Sequence, residues 1–210
     1  YRQERLLPKK EEIDRPGSEL HTRAAEYARC YSTAAAEVAS RIYQRSPERF
    51  WEAKARPIFR LAEAYEKLGV PLSGITANGR DFALAVVKYI GLWELFLDVA
   101  TDETTEGGGK EVGIAYLLKR FKGRGVPIAR DRLIIVGDSL RGDVGSGTHL
   151  RELGAKVVGV LVLRDRDELK KIRVDIERDV ELKNLTSRIK TRVMFADEAI
   201  LPEADTGVYL

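Results

Sequence analysis

From Leu20 onward, apolar residues recur at helical spacing at Ala24, Tyr27, Ala28, Tyr31, Ala35, Val38 and Ile42, which predicts one long amphipathic helix. Before it, residues 1 to 18 are polar and broken by Pro8, Pro16 and Gly17, and read as an extended lead-in. Ser46 and Pro47 form a helix start, with Phe50 and Trp51 on the short helix that follows. Pro57 opens another, whose buried stripe is Ile58, Leu61, Ala62, Tyr65 and Leu68 and whose end is marked by Gly69 and Pro71. Helical stripes exist to be buried, so the aromatic residues of this first third are expected in a core.

After Pro71 the pattern changes. Short apolar runs at 72–75, 96–100, 133–136, 156–163 and 192–196 alternate with helical patterns at 81–90, 110–121 and 148–153 and with a charged stretch at 165–190. That alternation is the signature of βαβ crossovers and predicts a parallel, Rossmann-like sheet with right-handed connections. Leu133 to Val136 is mostly β-branched and ends at a glycine, the look of a strand buried on both faces. The expected organisation is an extended segment (1–18), a helical portion (19–70) and an α/β core (71–210).

Composition narrows the class. The 210 residues are 33% charged, yet 36 basic and 33 acidic residues leave a net charge of only +3, too mixed to argue for nucleic acid. No apolar run approaches the ~20 residues that span a bilayer, and no signal-peptide core opens the chain, so the expectation is no membrane partner and a cytoplasmic location. Cys30 stands alone, which excludes an internal disulfide. The sequence starts at Tyr1 and its one methionine is Met194, so residues ahead of Tyr1 are expected to be missing.

Candidate chemistry sits where the strands end, the usual ligand crevice of an open α/β sheet. Asp138 and Asp143 share the loop after Val136, and two carboxylates on one loop can hold Mg²⁺, with water and phosphate filling its other positions. The plain alternative is that Asp138 caps the next helix and Asp143 is solvated. Thr76, with the amides of Ala77 to Gly79, offers a hydroxyl and main-chain donors to an anion. Lys110 stands at a helix start after three glycines, the wrong end of the dipole for a cation unless its ammonium faces an anion or simply points into water.

Taken in order, these stations resemble the haloacid dehalogenase-like superfamily of phosphatases and phosphotransferases, over residues 58 to 165. Ile75-Thr76-Ala-Asn-Gly79 resembles its second motif, Lys110 its third-motif lysine, and Val136-Gly-Asp138-Ser-Leu-Arg-Gly-Asp143 its acidic fourth motif. Gly91 to Glu103 and His149 to Val160 are similar to the flanking strand and helix segments. The resemblance implies a phosphomonoester hydrolase with a small phosphorylated substrate. Thr76, the Ala77 and Asn78 amides and Lys110 would hold the phosphoryl group, Asp138 and Asp143 would hold Mg²⁺, and a helical cap would lie between Leu20 and Gly69.

The family's first motif, a central strand ending in Asp-x-Asp that supplies the nucleophile, has no counterpart before the cap, and the expectation is that it lies upstream of Tyr1. A superficial rival is Asp165-Arg166-Asp167 after the 157–163 run, expected at a sheet edge and therefore as surface charge. Lys110 precedes Glu111 where the family usually has proline. Two other classes remain open: a catalytically inactive phosphate- or nucleotide-binding relative, and an interaction protein whose 165–190 stretch docks a partner. Neither substrate identity nor oligomeric state can be read from the residues.

Overall fold

A computed structural model describes residues 17–50, 57–106, 108–126, 133–152, 154–195 and 208–210. The lead-in to Pro16, Trp51, Gly107, Leu153 and Ala196 lie outside the described residues, as does the side chain of Ile58. The elements in order are α1 (Glu19–Arg45), α2 (Pro57–Lys67), β1 (Leu72–Ile75), α3 (Arg80–Tyr89), β2 (Phe96–Ala100), α4 (Asp102–Thr105) and α5 (Gly109–Gly123). Then come β3 (Leu133–Gly137), a 3-10 turn (Val144–Gly147), α6 (Thr148–Glu152), β4 (Val157–Leu163), α7 (Arg166–Arg178), α8 (Val180–Arg188), β5 (Lys190–Phe195) and β6 (Val208–Tyr209).

The fold is α/β with parallel strands, in two half-sheets. β1 pairs with β2, and β3, β4 and β5 pair in that order, all parallel, with β6 added antiparallel to β5. β4 is the best-covered strand because its two faces feed two cores. Val157, Leu161 and Leu163 join Val144, Leu150, Leu169, Leu185, Ile189, Val193 and Phe195 on one face, while Val160 meets Leu61 and Met194 on the other. Helices therefore cover both faces, as a parallel sheet requires. Gly159 is where the backbone comes closest to a neighbour: a Cβ there would fall 2.5 Å from Val144 Cγ1.

Several expectations are corrected. The stripe on α1 is not the buried face: Tyr27 is 74% and Tyr31 63% exposed, Val38 and Ile42 are exposed too, and Ser32 and Ala39 are buried instead. The reason is a close approach by α3, since a Cβ on Gly79 would lie 2.4 Å from Ser32 Cβ, and only small side chains tolerate that line. Just past α2, Leu68 is exposed, and on the helix Phe59 is buried beside Leu61 and Ala62. α2 packs through Leu61 and Tyr65 on the β3–β5 face, so it is a layer of the core and not part of a cap.

β4 is interior rather than marginal, because β5 and β6 extend the sheet beyond it. The polar loop after β2 contains α4. The charged stretch 165–190 forms α7 and α8, each started by an aspartate, with Asp165 accepting from the Asp167 and Glu168 amides and Asp179 from Glu181 and Leu182. β3 is not buried on both faces: Ile134 is 40% exposed, because one edge of β3 has no neighbouring strand among the described residues.

Leu161 has no exposed surface and lies at the centre of the larger core. Leu161→Ala is expected to cost about 2–5 kcal/mol of unfolding free energy, measured by urea titration, through lost burial and the cavity left behind.

Candidate functional site

The Gly-Asp loop after β3 is built around one carboxylate. Asp143 Oδ2 accepts from the amides of Asp138 (3.0 Å) and Ser139 (2.9 Å), closing the loop on itself. Ser139 reinforces the turn: its hydroxyl oxygen accepts from the Gly142 amide, and its carbonyl accepts from Asp143 and Val144. Gly137 is required here, since a Cβ would fall 2.3 Å from Asp143 Cβ, Cγ and Oδ2. The glycine-aspartate pattern is thus a packing rule, with the carboxyl group lying over a strand end that has no side chain.

The other oxygen, Asp143 Oδ1, accepts a hydrogen bond from Lys110 Nζ in an ion pair. Lys110 is the second residue of α5, so an unfavourable place in the helix dipole is offset by a carboxylate from the chain itself. Burial opposes ionisation of Asp143, but the Lys110 ammonium and the Ser139 amide outweigh it and hold the carboxyl below its ordinary value of 3.8. Asp138, by contrast, is exposed at the head of the loop. The plain alternative for Asp138, a helix cap, is not what the loop uses, since its amide rather than its carboxylate makes the turn.

Thr76 follows β1, where its amide donates to the Ala100 carbonyl (3.0 Å). Its hydroxyl oxygen accepts from the Asn78 amide (3.1 Å) and from Asn78 Nδ2 (3.0 Å), which leaves the hydroxyl proton to donate outward. The expected anion cradle at the start of α3 is partly filled from within. The Glu103 carboxylate accepts from the Arg80 amide through both oxygens, at 2.9 and 2.8 Å, and Ser32 Oγ accepts from Phe82. Of the main-chain donors proposed there, the Asn78 amide is turned to Thr76, so the hydroxyl is the better ligand of the group.

Lys110 and Asp143 stand at one end of a cavity of about 470 Å³ that runs between β1 and β3. Tyr65, Leu72, Ser73 and Ile75 form one wall, Leu133 to Val136 the other, and Ile114, Leu117, Leu118 and Phe121 of α5 the floor. Thr76 directly follows the first wall and Asp138 the second, so all the expected side chains lie at the carboxyl ends of these strands. Glu103 and Ser73 were not anticipated. Glu103 was legible as an acid three residues past the end of β2; Ser73, whose Oγ is buried without a hydrogen-bond partner among the described residues, had no sequence signal.

No known family model, curated protein or solved structure matches the chain. Among the described residues no helix is long and apolar enough to cross a membrane, and no three His, Cys, Asp or Glu side chains gather as a metal cluster.

Because its folded value is lowered, Asp143 contributes stability that is complete above the ordinary carboxylate value of 3.8 and is lost as pH falls through the lowered one. In Lys110→Met the folded value moves back toward or above the ordinary one, so this acid-side loss is expected to shrink or vanish. Urea unfolding between pH 2 and 6 checks it, and superimposable profiles of the two proteins would contradict the pairing.

Proposed function

We propose that this protein is a Mg²⁺-dependent phosphomonoester hydrolase of the haloacid dehalogenase-like type. The observation that carries the reading is the convergence at one cavity end of Lys110 and Asp143, with Thr76 and Asp138 on the adjoining strand ends. Phosphoryl transfer asks mainly for positioning and charge neutralisation, and this set supplies a hydroxyl donor, an ammonium and two carboxylates.

The donor set fits a hard cation that takes one or two carboxylates and completes its shell with water and phosphate. Asp138 is exposed and would be the direct ligand; Asp143, with Oδ2 engaged by two amides and Oδ1 by Lys110, would act through water or by holding the loop. Bound Mg²⁺ would neutralise phosphoryl charge. Thr76 would donate its hydroxyl proton to a phosphoryl oxygen, and Lys110, oriented by Asp143, would neutralise a second. None of these groups is placed as an attacking carboxylate, so an aspartyl-phosphate route needs a nucleophile outside this set.

A second reading is a phosphate-binding or interaction protein without turnover. The closed Lys110–Asp143 pair favours it, because both groups are already satisfied by each other.

The readings separate in two measurements. Inorganic phosphate is expected to bind more tightly in the presence of Mg²⁺, and Asp138→Asn is expected to lose at least tenfold of that enhancement by calorimetry. Hydrolysis of an aryl phosphate is expected to require Mg²⁺ and to be abolished in Asp138→Asn. Metal-independent turnover would sink the first reading, and Mg²⁺-enhanced binding without turnover would favour the second.

A further inference from the structure

α1 is long for the surface it packs against. Its 27 residues span about 40 Å, yet Ser32 and Ala39 are its buried residues. Ser32 lies against α3, and Ala39 follows seven residues on, along the same line of the helix. A second line runs through Leu20, Ala24, Tyr27, Tyr31, Ala34 and Val38, in alternating steps of four and three residues. That is the spacing of a helix seam that packs on another helix. It lies roughly 110° around the helix from Ser32. Ala24 is half-buried and the other five are exposed.

The charges beside this seam indicate what covers it. Glu19 pairs with Arg23 at 2.6 Å and Glu37 with Arg41 at 3.5 Å, each across one helical turn. All four stand on the same flank of the seam, with Cys30 midway between the two pairs, and the other flank carries Ala28 and Ala35. Both pairs run acid first and base second. A second α1 laid alongside in the opposite direction, with Tyr27 against the partner's Tyr31, therefore matches throughout. Leu20 falls opposite the partner's Val38 and Ala24 opposite the partner's Ala34. On the flank, Arg23 meets the partner's Glu37 and Glu19 meets the partner's Arg41, so each end of the pair gains four charges of alternating sign. In a parallel pair the charged flank of one helix would face the alanine flank of the other, and no charge would be matched.

We propose that α1 is a homodimer interface, in which two copies of this chain associate through an antiparallel, two-fold pair of α1 helices in this register. The arrangement is isologous, as a closed dimer requires. A covered aromatic ring buries about 150–250 Å², so the four exposed tyrosines account for roughly 500 Å². Leu20, Val38 and the alanines bring the contact to the ~1,000 Å² that a specific interface needs. Since α3 covers a different line of the helix, the two cores do not compete for the seam. The inference makes no use of the phosphoryl-transfer reading, and the two stand or fall separately.

The test is sedimentation velocity on the full chain, which is expected to shift from one chain to two as concentration rises. Arg23→Glu and Glu37→Arg each set like charges opposite one another at both ends of the pair, and each is expected to weaken association at least about tenfold. Mixed in equal amounts, the two variants are expected to regain the parent affinity, because every facing pair is again of opposite sign. An effect confined to one helix cannot produce that recovery. Tyr27→Ser/Tyr31→Ser, both at exposed positions, is expected to keep its far-ultraviolet circular dichroism and to remain a monomer. Cys30 is the one cysteine of the chain, and a short bismaleimide is expected to link two parent chains through it but not two chains of the tyrosine variant. A parent chain that stays monomeric up to about 1 mM overturns the proposal. So does a tyrosine variant that dimerises as the parent does, or a mixture no tighter than its components.

Discussion

The ion pair between Lys110 and Asp143 is the constraint on which the arrangement turns, because it ties together parts of the protein that no strand pairing joins. Lys110 belongs to α5, which packs on β1 and β2; Asp143 belongs to the loop after β3, the first strand of the other half-sheet. Below the pair, Ile114 carries the same connection into the larger core. Above it, the carboxylate holds the Gly137–Ser139 turn closed through its second oxygen. One side chain thus sets the loop shape, the lysine position and the spacing of two sheet edges.

This economy explains why the candidate site is compact although its residues are far apart in sequence. Thr76 and Asp138 are each one residue beyond a strand, where the backbone is fixed by ladder hydrogen bonds on one side. Lys110 is fixed by its partner. Glu103 ends the demand of α3 for an anion at the Arg80 amide, so Thr76 and Lys110 are left as the groups that can face a ligand at that end.

Much of the fold was legible. The short runs at 72–75 and 96–100 are strands at those limits, and the run at 156–163 is a strand beginning at Val157, because short runs of this length between turn residues and helical patterns have few other solutions. The Gly137–Asp143 spacing marks a candidate site and has a packing reason of its own. What could not be read was partnership. Tyr27 and Tyr31 fall on an ideal helical stripe, but a stripe says nothing about whether a second surface arrives, and here α3 meets the Ser32 side instead. A lysine at that helix start predicts an external anion or open water, and the partner it has lies 33 residues away, beyond any local pattern. The apolar run of β3 predicted a doubly covered strand, which holds for its sequence and not for its observed neighbours.

The geometry of the two facing edges also restricts what could pair with them. Exposed strand edges ordinarily invite aggregation, since any other edge can dock on them. Here the edges of β1 and β3 face each other across a crevice flanked by α2 and α5. Satisfying both at once demands a chain that is not yet part of any sheet. A finished sheet edge could pair with one of these walls and would leave the other unpaired.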